Sequence, residues 1–92
     1  MTNAEILQIC KTSIGVTGTF HDETLLAYIE EVKNFMRSAG VDEPTLNDRK
    51  SAGAIVRGVA DLWNLGAGEA RFSQYFKLRL IQLTREAGNN EL

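Results

Sequence analysis

Few residues in this chain have the types and spacing that chemistry needs. His21, its one histidine, stands beside Asp22. A histidine can act as a general base or a metal ligand, yet no HExxH spacing surrounds it. One histidine with no cysteine nearby does not complete a zinc site, so His21 reads as an exposed turn residue next to a helix cap. Cys10, the one cysteine, excludes an internal disulfide and a cysteine-based zinc site. A reactive thiolate needs a positive, partly open setting, whereas Cys10 falls on an apolar stripe and is expected to be buried. Ser13, Thr17 and Ser73 find no His/Asp network that a single histidine can supply.

The carboxylates do not pair for acid–base work. Glu30 and Glu31 are adjacent, so on a helix they project about 100° apart and cannot face each other. Asp22 and Glu23 sit where acids favour a helix start, and Asp42 and Glu43 precede Pro44 in a turn. No ExxH motif for a di-iron centre occurs. The stretch GAGEARF at residues 66–72 lacks GxxxxGK[ST] and follows a helical segment, so it reads as a turn. Arg57, Arg71, Lys77, Arg79 and Arg85 make the later part basic. A DNA-reading helix carries Arg, Asn or Gln near its start, facing a groove; here that stretch is Ser73, Gln74, Tyr75 and Phe76. We expect no enzyme, no cofactor and no metal.

What remains is surface, and helices must present it. Gly15, Gly40, Gly66 and Gly88 each follow a segment of helical periodicity, as expected where helices stop in a left-handed residue. The predicted elements are four helices, about 4–14, 22–39, 48–65 and 73–86, in one all-α domain spanning 1–92. Asn3, Asp22 and Asn47 are the expected caps of the first three. Ile6, Ile9, Cys10 and Ile14 form the first stripe. Leu25, Ile29, Val32 and Met36 form the second, widened by Leu26, Tyr28 and Phe35, with Glu30, Glu31, Lys33 and Arg37 outside it. Ala52, Ile55, Val56, Val59, Leu62 and Trp63 line the third. Gly53 and Gly58 each cost about 1 kcal/mol inside that helix, tolerable where another helix passes close. In the fourth, Phe76, Leu80 and Leu83 share one side, and Tyr75, Leu78 and Ile81 an adjoining one. That is more apolar surface than one partner helix covers. No window alternates like a strand.

Ninety-two residues, 43% hydrophobic and 24% charged, fit one globular domain and not a disordered chain. The net charge of −2 leaves no global basic field for nucleic acid. Charge is uneven: residues 1–46 carry three Lys/Arg and seven Asp/Glu, residues 47–92 seven and five. No signal peptide or bilayer-spanning run is read, so an intracellular, soluble chain is expected.

The segments FHDETLLAYIEEVKNFM (Phe20–Met36) and GVADLWNLGAGEARFSQYFKLRLIQL (Gly58–Leu83) resemble the small head–tail connector, or adaptor, proteins of tailed bacteriophages. The likeness extends over residues 4–86 and rests on hydrophobic spacing and turn residues. It implies an all-helical subunit of a roughly dodecameric ring beneath the portal. Such a ring prolongs the DNA channel and offers a platform to a stopper or tail-completion protein. It acts without cofactor or catalytic residues, at the head–tail junction of the virion and in the host bacterial cytoplasm during assembly. Double-stranded DNA passes through without specific binding, and no membrane is involved. Asp42, Glu43 and Leu46 in a loop, and Tyr75, Lys77 and Arg79 on the fourth helix, are the expected protein contacts. Glu30 and Glu31 are expected to keep the channel from holding phosphates. The competing readings are a small helix-turn-helix-like DNA-binding regulator and a dimeric helical interaction module.

Overall fold

Local hydrogen bonds set the helix ends. The computed structural model describes residues 1–65 and 72–89, with the backbone alone for 65, 75 and 85–89. Helix α1 (Asn3–Ile14) starts at Thr2, whose hydroxyl accepts from the Glu5 N–H while the Glu5 carboxylate accepts from the Thr2 N–H. That reciprocal pair satisfies two amide hydrogens that a helix start leaves without partners, so the cap is Thr2 and not Asn3. Helix α2 (Asp22–Ser38) follows His21, which makes no side-chain capping bond. Asp22, the expected cap, lies inside the first turn and accepts from Lys11 Nζ at 2.9 Å.

Both helices end as their glycines foretell. Gly15 (φ +74°) and Gly40 (φ +100°) take the left-handed conformation. The next residues then close back on the helix: Val16 N–H on the Lys11 carbonyl and Val41 N–H on the Met36 carbonyl, each at 3.0 Å.

The chain between Gly40 and residue 52 departs from the expected turn. It holds a short helix, α3 (Glu43–Asn47), capped by the Asp42 carboxylate, which accepts from the Thr45 N–H at 2.9 Å. Pro44 sits in its first turn, where a missing N–H costs no helical bond; the residue read as a breaker opens a helix. A 3-10 turn (Arg49–Ser51) follows, capped by Asp48 in place of Asn47, and leads into α4 (Ala52–Leu65). The last helix, α5 (Gln74–Asn89), begins at Ser73, whose hydroxyl accepts from the Phe76 N–H. It continues through Gly88, where a stop was expected, because a lone glycine weakens a helix without having to end it. The stop at Gly66 and the turn at 66–71 lie outside the described residues.

The helices form one compact all-α domain, with no strand among the described residues. Three bonds between side chains fix α1 and α2 antiparallel: Lys11 to Asp22, Asn3 to Glu30 and Lys33 to Asn3. Helix α4 lies against α1, α2 and α5. Helix α5 runs back along it: the Ser73 N–H reaches Asp61 at 2.8 Å, Phe76 lies over Gly58, and Arg79 lies over Gly53. Ile6, Cys10, Leu25, Ile29, Val32, Met36, Ile55, Val59, Leu62 and Phe76 are fully enclosed, and Leu80 and Leu83 nearly so. Each was expected on an inner stripe. Leu7 joins them unforeseen, while Ile9 is half-buried.

Candidate functional site

The interior spends its polar groups on holding helices together. Lys33, expected on the outer face of α2, is 5% exposed, and its Nζ donates to Asn3 Oδ1 at 2.7 Å. Asn3 Nδ2 in turn donates to Glu30 Oε1 at 2.7 Å. Spacing carried the clue, since Lys33 lies four residues after Ile29 and three before Met36, within the buried arc. Lys11, 8% exposed, donates to the Gly18 carbonyl and to Asp22. Among the described residues no buried side-chain nitrogen or oxygen lacks a hydrogen-bond partner.

The residues first weighed for chemistry have structural settings. Cys10 is enclosed, and burial pushes its thiol up to about 11, far from a thiolate at neutral pH. His21 is half-buried rather than exposed, edge-on to Trp63 with ring centroids 5.0 Å apart and edge-on to Phe20 at 4.8 Å. Among the described residues no three His, Cys, Asp or Glu side chains gather to hold a metal ion. No described helix is long and apolar enough to cross a membrane.

The expected contact residues fare differently from one another. Leu46 was placed in an exposed loop, but it is a fully buried core residue, because α3 turns it inward against the domain. Asp42 is exposed and caps α3; the Thr45 hydrogen bond holds its carboxyl below the ordinary range. Glu43 is exposed and pairs with Arg37, Nε to Oε1 at 2.7 Å. Lys77 and Arg79 are exposed on α5. The Tyr75 side chain lies outside the described residues. Glu31 is exposed, and Glu30, also exposed, holds the Asn3 amide. Phe35, expected to flank an interface, packs with Phe72 and Phe76 at centroid distances of 4.7 and 5.8 Å, joining α2 to α5.

Two surface features stand out. On α5, Leu78 (52% exposed) and Ile81 (48%) face outward, beyond a core already closed by Phe76, Leu80 and Leu83. Beside them, two adjoining depressions run along α4 and α5 past Lys50, Gly53, Arg57, Leu78, Arg79 and Gln82, and a third lies between α1 and α4 at Ser13, Gly53 and Arg57. Among the described residues, none that line them is Asp or Glu. Phe20 is 91% exposed in the loop before α2. Sequence reading counted it only as part of the Phe20–Met36 resemblance, since periodicity says nothing about a loop residue.

The arrangement offers exposed helix faces and, between α4 and α5, a shallow depression lined by Gly53, Arg57, Leu78, Arg79 and Gln82. Comparison with family models, with curated proteins and with solved structures gives no match for this chain.

Proposed function

We propose that this chain is a structural subunit of a head–tail connector ring of a tailed bacteriophage or prophage. In this reading copies assemble, roughly twelve by analogy with the family that the sequence resembles, coaxially beneath the portal. They lengthen the DNA channel and present a platform to the stopper or tail-completion protein, at the head–tail junction. The observation that carries the reading is the outward pair Leu78 and Ile81 on α5, flanked by Lys77 and Arg79. A surface that keeps apolar side chains in water beyond a completed core is the kind that partners cover. The soft likeness of Phe20–Met36 and Gly58–Leu83 to connector proteins supplies the class of partner.

Glu31 is the acid we assign to the channel wall, where negative charge keeps phosphates from lodging. Glu30 is engaged with Asn3, so a charge reversal there disturbs the α1–α2 junction as well. The test is co-assembly. The purified chain mixed with its cognate portal protein should give a ring-bearing complex in light scattering and electron microscopy. A portal that leaves the chain unbound at high concentration refutes the reading.

The basic lining of the α4–α5 depressions favours a second reading, a small DNA-binding regulator. A gel-shift titration with duplex DNA at low salt separates the two: the regulator binds, the connector does not.

A further inference from the structure

We propose that the outward face of α5 receives an acidic amphipathic helix of a partner protein. Aliphatic side chains of that helix pack on Leu78 and Ile81, and the carboxylates beside them meet Lys77 and Arg79. The proposal rests on the connector reading and names the chemistry of the partner that covers this face.

The face is apolar and cationic at once. Phe76, Leu80 and Leu83 fill the inner side of α5, so Leu78 and Ile81, about half exposed, have no core left to enter. They stand at i and i+3 and therefore form one ridge. Gln74 and Lys77 share that arc before them and Gln82 after them, each exposed. Arg79 is exposed as well. Its guanidinium lies over Gly53 and donates to the neutral Gln82, so it closes the depression beside α4 yet keeps its charge. Neither Lys77 nor Arg79 pairs with an acid among the described residues. The surface on offer is a ridge with a cation on either side, not a socket.

Charge and shape together select the occupant. Duplex DNA would take the cations and leave Leu78 and Ile81 in water. A helix that lies in a membrane buries a whole apolar face, and α5 has spent its own on the core. A second copy offers another cationic α5, or α2, whose exposed acids Glu23, Glu30 and Glu31 surround Ala27. Ala27 gives two large aliphatic side chains little to pack on. An acidic helix with its own aliphatic row, repeating every three or four residues, meets both the ridge and the cations.

The probe is a labelled peptide of about 18 residues, about five helical turns, with leucines at i, i+3, i+4 and i+7 and glutamates elsewhere. A lysine counterpart and a peptide of scrambled order are its controls. In fluorescence anisotropy at about 0.1 M salt, the acidic peptide should bind the whole chain at least about tenfold more tightly than either control, and more weakly at about 0.5 M. Leu78→Ala with Ile81→Ala should weaken it at least about tenfold, as loss of central contact residues does. Lys77→Glu with Arg79→Glu should reverse the preference, toward the lysine peptide. All four positions lie outside the enclosed core, and circular dichroism confirms that each variant stays folded. An acidic peptide bound no better than its controls overturns the proposal, as does a preference that survives charge reversal. Duplex DNA, phosphatidylserine vesicles or a second copy held through Lys77 and Arg79, with the acidic peptide ignored, overturns it too. If the charge-reversed variant still binds the portal protein and a stopper or tail-completion protein as the intact chain does, the proposal fails and the connector reading stands. If the acidic peptide binds as expected while the portal protein is ignored, the connector reading fails and the surface stands.

Discussion

Single atoms decide several outcomes in this fold, and the two glycines inside α4 make the contrast sharpest. A methyl group at position 58 would stand 2.9 Å from both Phe76 Cε1 and Val32 Cγ1, inside the core. Gly58→Ala should therefore destabilise by about 1–3 kcal/mol despite better helix propensity. At position 53 the nearest atom is Arg79 Nη2 at 3.0 Å, the movable tip of a surface side chain. Gly53→Ala should be stabilising, by up to about 1 kcal/mol. Urea denaturation of the two variants checks both signs. The sequence marked these glycines as costly and the crowding as their excuse, but it held no means of telling which was crowded. Cys10 should resist alkylation at pH 8 in the folded chain and react promptly once urea unfolds it. Its folded value of about 11 lies above the ordinary 9.0, so the unfolded chain releases that proton first. The stability that it contributes is whole below pH 9 and is lost as pH rises toward 11, which a denaturation series in that range measures.

Helices and their junctions form the next scale. The Lys33–Asn3–Glu30 chain of bonds joins α1 to α2 around a nearly buried ammonium. Asn3→Ala removes the acceptor and should cost about 1–3 kcal/mol, the penalty of leaving a buried polar group unmet, read as a lower thermal midpoint. At the helix starts, Glu5 and Asp42 are both held below their ordinary 4.5 and 3.8, chiefly by hydrogen bonds from Thr2 and Thr45. Their contribution is present above those values and fades as pH falls through the lower folded ones. Acid titration should therefore loosen the starts of α1 and α3 before the core, visible in amide exchange. Four long helices were legible because each has an apolar stripe, and two because a glycine followed by valine seals a left-handed cap. Helix α3 was not legible. Five residues give no period to detect, and Pro44 after an acid reads equally well as a turn or as a first helical turn. Lys33 was misplaced because charge outweighed spacing in the reading.

The whole molecule carries a division that no single helix shows. For function the sequence offered only a likeness to connector proteins and a set of surface candidates. Leu46 shows the reason: exposure depends on tertiary packing, and interface candidates chosen by charge and turn chemistry inherit that uncertainty. The peptide and portal experiments above belong to this scale. The lysines that fold inward sharpen the division. Of the three cations among residues 1–46, Lys11 and Lys33 are buried and Arg37 is paired with Glu43. Lys11 and Arg37 each take an acid with them, Asp22 and Glu43, so the acid excess of the first half is carried on α2 by the exposed Glu23, Glu30 and Glu31, while Lys77 and Arg79 are exposed on α5. Two such poles make the chain a dipole that turns into register during diffusion, before any surfaces touch. Despite its acidic isoelectric point it should adhere at low ionic strength to both anion- and cation-exchange media, gripping each by a different end.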